Sequence, residues 1–183
     1  ASGANNNIPH YNQNDQICRK GDLLLLDVGA GLGNYMSDLT RTLPVSGRFT
    51  RRQKQLYNAV LRVFRAMVKT MTPGKTTKDL RTECEELLTK ECVDLGLIKP
   101  AQLKKSTPDQ PAVRPYFMHG VSHPIGLDVH DVTYNHFKIA PGWVLTCEPG
   151  IYIKEEGFGI RLENTILVTE TGQRDLMADI PIE

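Results

Sequence analysis

Apolar and polar positions fall into three blocks along the chain. In the first, residues 8–50, a short apolar stretch at Ile8–Tyr11 leads into polar sequence. The turn signal Arg19-Lys20-Gly21-Asp22 then precedes Leu23-Leu24-Leu25-Leu26-Asp27-Val28, which reads as a buried strand. Gly29, Gly31 and Gly33 interrupt the pattern, and Tyr35–Leu43 alternates as a second strand that stops at Pro44. The second block is helical. Thr50 and Gln53 stand at capping-box spacing, ahead of the apolar stripe Leu56, Val60, Val63, Phe64, Met67 and Val68, which ends at Pro73-Gly74. A second helix is predicted over Thr77–Leu95, with Leu80, Cys84, Leu87, Leu88 and Leu95 inward and Gly96 past its end. Pro100, Pro108, Pro111 and Pro115 mark a surface connection. The third block returns to strand patterns at Phe117–His123, Gly126–Val132, Trp143–Cys147, Gly159–Glu163 and Thr165–Val168. Strands, two helices, then strands predict an α+β fold, an antiparallel sheet covered by helices on one face.

Composition narrows this picture. The 183 residues, 40% hydrophobic and 23% charged, suit one globular domain spanning 1–183. A formal net charge of +1 asks for neither nucleic acid nor a membrane surface as partner. The longest apolar run, Leu23–Leu26, is strand-sized, and the polar N-terminus lacks the apolar core of a signal peptide. Cys18, Cys84, Cys92 and Cys147 form no C-x-x-C pair, so four reduced thiols in a cytoplasmic protein are expected.

Candidate chemistry comes from carboxylates set among apolar residues. Asp27 follows four leucines, Asp38 lies in Ser37-Asp38-Leu39-Thr40-Arg41, Glu148 follows Val144-Leu145-Thr146-Cys147, and Glu163 ends Gly159-Ile160-Arg161-Leu162. A carboxylate in such a place must be paired, hydrogen-bonded or metal-bound. Singly, each reads as a salt-bridged residue. Together with His119, His123 and His130 they read as a metal centre. Four hard oxygen donors plus imidazole suit Mn2+, Fe2+ or Co2+, and four negative charges exceed what one divalent ion needs, so two ions are expected. Such a pair can hold a bridging hydroxide and polarise a carbonyl, which is hydrolytic chemistry. His136 carries no such context and reads as structural. The glycines 29, 31 and 33 have G-x-G-x-G spacing with no helix after them, which disfavours a dinucleotide site and favours a turn between the strands bearing Asp27 and Asp38.

The ordered segments Asp22–Gly29, Tyr35–Thr42, His119-Gly120-Val121-Ser122-His123, Gly126–Asp131, Leu145–Tyr152 and Gly159–Glu163 resemble the pita-bread (M24-type) metallopeptidases, within them the Xaa-Pro aminopeptidase (aminopeptidase P) and prolidase branch. The resemblance implies the pita-bread fold, without the first helices and the N-terminal domain that relatives carry. It implies five metal ligands, Asp27, Asp38, His123, Glu148 and Glu163, with Asp38 and Glu163 bridging two divalent ions. Mn2+ is the expected metal, with Co2+, Zn2+ and Fe2+ as alternatives. Glu148 would also manage the proton of the bridging hydroxide. His10, His119 and His130 match catalytic histidines lining the substrate site, and Arg161 and Tyr152 match further substrate-site positions. The implied activity is hydrolysis of the bond between an N-terminal residue and a following proline. Its alternatives are a prolidase-type dipeptidase, a non-catalytic peptide-binding module, and an inactive truncated chain. The implied partners are peptides with proline at the second position, with no nucleic acid, no membrane, and self-association left open. Two positions depart from the pattern: Pro124 after His123, which reshapes one pocket wall, and Asn164 after Glu163.

Overall fold

A computed structural model of the chain describes residues 1–134 and 136–182. Strand β1 (Leu23–Val28) pairs antiparallel with β4 (Leu39–Pro44), in a register that sets Asp27 opposite Thr40. Between them the chain makes a tight hairpin of β2 (Gly31–Leu32) and β3 (Tyr35–Met36). Gly33 and Asn34 at its tip have φ of 57° and 68°, the left-handed pair that a type I′ turn requires. The glycine cluster is thus a turn between the strand bearing Asp27 and the one that Asp38 immediately precedes. The strand predicted over Tyr35–Leu43 is broken at Ser37-Asp38. There the Ser37 hydroxyl and backbone bond to Ala30 across the hairpin neck instead of continuing a ladder.

Helix α1 (Arg51–Thr70) starts with the expected capping box of Thr50 and Gln53. Helix α2 (Thr77–Asp94) has its own box from Thr76 and Asp79, and Gly96 at φ 74° lies just past its end. The Pro-rich connection contains one further turn, α3 (Pro100–Leu103). Five strands follow: β5 (Val144–Cys147), β6 (Gly150–Ile153), β7 (Phe158–Arg161), β8 (Asn164–Thr169) and β9 (Gly172–Asp175). They pair antiparallel as β5–β8–β9 and β6–β7. A bridge between Thr40 and Glu163 joins the N-terminal pair to this C-terminal set. The core lies where the α1 stripe (Leu56, Val60, Val63, Phe64, Met67) and the α2 stripe (Leu80, Cys84, Leu88) meet Leu145, Ile151, Ile160, Leu162 and Ile166 of the strands. The expected α+β architecture with helices over antiparallel strands is observed.

The short apolar stretch Ile8–Tyr11 follows a 3-10 turn at Gly3–Asn7. Two strand expectations need correction. Phe117–His123 is irregular, bent at His119 and Val121, and is held to the end of β5 and to Glu148 by the His123 and Val121 carbonyls. Gly126–Val132 is a compact turn. Asp131 organises it, its carboxylate taking the backbone N–H of Leu127 and Val132 while its own N–H bonds to the Pro124 carbonyl. Side-chain capture of backbone donors outcompetes a ladder there. Strands β6 and β9 were not foreseen. The four cysteines are free, three of them buried. Among the described residues, no helix is long and apolar enough to cross a membrane.

Candidate metal centre

One cleft of about 270 Å³ gathers His10, Asp27, Asp38, His119, His123, His130, Glu148, Arg161 and Glu163 in its walls. The sheet register explains the convergence. Asp27 on β1 faces Thr40 on β4, and Thr40 is bridged to Glu163, so one line across the sheet carries two acids. Asp38 enters at the break before β4, where the Thr165 hydroxyl donates to its carbonyl at 2.9 Å. The other wall comes from two segments stapled together. The Glu148 N–H donates to the Val121 carbonyl and the Thr146 N–H to the His123 carbonyl, both at 2.9 Å. Buried Thr146 completes the staple. Its hydroxyl accepts from the His123 N–H at 3.0 Å and donates to Glu148 Oε1 at 3.3 Å.

The hydrogen bonds assign a tautomer to His123 and to His119. His123 Nδ1 lies 2.9 Å from the Pro124 carbonyl, which can only accept, so Nδ1 carries the proton. The Nε2 lone pair is then left facing Asp38 Oδ2 and Glu148 Oε1, each 3.6 Å away. Glu163 is 2% exposed; its Oε2 accepts from Thr40 Oγ1 at 2.6 Å, while Oε1 is buried with no partner. Ligand atoms of Asp38, His123 and Glu163 all lie within 4.8 Å of one another. A buried group of acceptors facing one another without a donor is costly, and a cation resolves it. The donor set therefore fits divalent metal, and its oxygen-rich character fits a hard ion.

Charge crowding is visible in proton affinities. Burial raises Glu148 to about 7 and raises Glu163 well above the usual carboxylate range. Burial also raises Asp27, with the Arg161 guanidinium opposing it from 2.6 Å. At Asp38 burial is outweighed by the facing His123, which leaves the carboxyl lowered. At His123 burial is likewise outweighed, by the Asp38 hydrogen bond, so its proton affinity rises. A proton there occupies the place a cation would take.

Of the remaining predicted residues, Arg161, His119, His130 and His10 line the same cleft, and buried Tyr152 stands behind them. Arg161 donates to Asp27, to Thr40 Oγ1 at 3.1 Å and to the Tyr152 hydroxyl at 3.0 Å. Tyr152, pushed up to about 12 by burial, lies 2.7 Å from His119 Nε2, and His119 Nδ1 lies 2.6 Å from the Gly120 carbonyl. Burial lowers His119 to about 4, so it is neutral, with Nδ1–H donating and Nε2 accepting. Both its nitrogens are engaged. His130 stacks on His123 with centroids 3.8 Å apart, and His10 meets His130 edge-on at 6.0 Å. Every predicted site residue thus reaches one place, although His119 and His123 do so from an irregular segment rather than one face of a strand. His136 lies outside the cleft, against Tyr134 and Phe137. Thr146 and Thr165 escaped the sequence reading, since threonine in a strand is ordinary and nothing in the pattern marks it.

Comparison with known proteins sets this geometry in context. Residues 1–170 match metallopeptidase family M24. The chain is similar to the Xaa-Pro aminopeptidase of Haemophilus influenzae, 38% identical over 195 residues, covering 100% of this chain and 45% of that protein. It is 39% identical over 191 residues to the Xaa-Pro aminopeptidase of Escherichia coli, covering 98% of this chain and 43% of the relative. Among solved structures, zinc-substituted E. coli aminopeptidase P in complex with product superposes with a TM-score of 0.90 at 39% identity, covering 98% of this chain and 43% of that one. The chain spans less than half the length of these relatives.

Proposed function

Because this chain belongs to metallopeptidase family M24, we propose that it forms the catalytic part of an enzyme that removes the N-terminal residue from peptides with proline in second position. The buried, partnerless oxygen of Glu163 beside Asp38 and His123 is the observation that carries this reading. Asp27, Asp38, His123, Glu148 and Glu163 would hold two divalent ions, Mn2+ being favoured by the hard donor set. When bound, the ions supply an activated water and draw charge from the scissile carbonyl. The protein's own groups then divide the work. Glu148 would accept a proton at its carboxylate and return it to the departing prolyl nitrogen. Arg161 fixes Asp27, and through Tyr152 it fixes the neutral His119. His130 and His10 have no hydrogen-bond partner among the described residues, so these rings are the ones free to meet substrate. A prolyl amide has no N–H to donate, and a pocket edged by flat imidazoles can select its ring by shape. The reduced thiols suit the cytoplasm.

The test is release of alanine from Ala-Pro-Gly by Mn2+-loaded protein, with Glu148→Ala alongside. Metal-dependent release that falls about a thousandfold in the variant is expected. Tight Mn2+ binding without cleavage, by this chain and by the full-length protein alike, would reject the peptidase reading.

A further inference from the structure

The segment His119–His123 is paired through Val121 and His123 and bare at Ser122. Val121 and His123 present their carbonyls to Glu148 and Thr146. Ser122 turns the other way. Its backbone N–H and C=O have no partner among the described residues, and its hydroxyl is buried without one. Beyond Ser122 lies a second cleft of about 430 Å³, which shares Gly120, Ser122 and His123 with the catalytic cleft. Its far wall is the start of α2 and the 108–114 loop, which bring in Lys78, Arg81 and Arg114 against Glu85 and Asp109. Glu85 is taken by Arg81 at 2.9 Å, and Arg114 reaches only the Asp109 carbonyl, also at 2.9 Å. Lys78 and Arg114 enter no ion pair among the described residues. The cleft therefore combines the unpaired backbone of Ser122 with one net positive charge, Lys78, Arg81 and Arg114 against Glu85 and Asp109, immediately behind the catalytic segment.

We propose that this second cleft binds the part of an extended peptide lying beyond the scissile bond and selects acidic residues there. An extended peptide passing Ser122 would pair with its free N–H and C=O, a local form of β-augmentation. Its carboxylates would reach Lys78 and Arg114. Backbone pairing supplies affinity without regard to side chains, and the two cations supply the preference. This rests on reading the neighbouring cleft as a peptide-cleaving centre, so binding and cleavage are measured separately.

Calorimetry on metal-free protein, which cannot turn over, compares Ala-Pro-Gly-Glu-Glu with Ala-Pro-Gly-Lys-Lys at low salt. The acidic peptide should bind about fivefold tighter, the scale of two solvated charge contacts. In the Lys78→Ala/Arg114→Ala double variant the two affinities should converge, and Lys78→Arg should keep the preference. Both side chains are exposed, and circular dichroism checks that the variants fold. Equal affinities in the unmodified protein, or a preference that survives the double substitution, overturns the proposal. So does succinate binding as tightly as the acidic peptide, which would assign the cleft to a small anion. Charge-selective binding without metal-dependent cleavage, in this chain and the full-length protein, would retain the acidic-peptide site and remove the peptidase reading.

Discussion

At the scale of single residues, the centre depends on hydroxyls that touch no substrate. Thr146 holds the His123 backbone and the Glu148 carboxylate with one oxygen, so two ligand-bearing segments move together. Thr146→Val keeps the shape and removes both bonds, leaving a buried N–H unpaired at a cost of about 1–3 kcal/mol. Mn2+ affinity, measured by equilibrium dialysis, should weaken about tenfold in Thr146→Val and recover in Thr146→Ser, in line with the effect of groups that orient metal ligands. A valine variant that binds Mn2+ as tightly as the unmodified protein would show that the staple does not orient the site. The contrast with Asp27 shows why one residue could be read from sequence and the other could not. A carboxylate directly after four leucines stands out in the sequence, and that contrast is the signal, although the strand expected to be buried throughout is exposed from Leu26 to Val28. Thr146 conflicts with nothing. Its importance arises only from the register that sets it beside His123.

At the scale of elements, what could be read from sequence divides along the same line. Both helices declare themselves locally, the first through its capping box and stripe and the second through its stripe; the second matches its expected bounds to within a residue, and the first stops at Thr70, short of Pro73-Gly74. Thr50→Ala removes one box and should cost about 1 kcal/mol, seen as a fall of roughly 3 °C in Tm with metal affinity unchanged. The strands are set by distant partners instead. Phe117–His123 has strand-like composition but pairs only at the end of β5, while β9 (Gly-Gln-Arg-Asp) has no strand-like composition and pairs because β8 lies beside it. The glycine hairpin sits between these cases. Its turn is local chemistry, but Gly29 is needed for a long-range reason, since a Cβ there would strike the Ser37 carbonyl. Neither backbone can yield without separating Asp27 from Asp38. Gly29→Ala should therefore lower both Tm and Mn2+ affinity, whereas Thr50→Ala lowers Tm alone. Unchanged metal binding in Gly29→Ala would mean that the neck does not set the spacing of the two acids.

At the scale of the whole molecule, the crowded acids make metal, protons and stability one problem. In the metal-free protein Glu148 holds a proton up to about pH 7, whereas in the unfolded chain it loses it near 4.5, so its contribution to stability is lost as pH rises through that window. His119 acts oppositely. Its affinity falls from 6.5 to about 4 on folding, so the unfolded chain binds the extra proton and stability grows as pH rises from about 4 to 6.5. The two effects oppose each other below pH 6.5. Above it the His119 effect is complete, and Glu148, the strongly raised Glu163 and the raised His123 all favour the protonated, lower-pH side. The metal-free protein should therefore lose Tm between pH 6.5 and 8. Saturating Mn2+ should abolish that fall, because the cation replaces the protons that the acids would otherwise need. At a hundredfold excess over Kd the gain is about 2.7 kcal/mol, or roughly 5–10 °C for a domain of this size. Melting curves at pH 6.5, 7.2 and 8.0, with and without Mn2+, test this directly. A flat metal-free profile would mean that the acids are not crowded in solution as they are in the fold. A fall that persists at saturating Mn2+ would place the metal away from Glu148 and Glu163, and with it the chemistry assigned to this cleft.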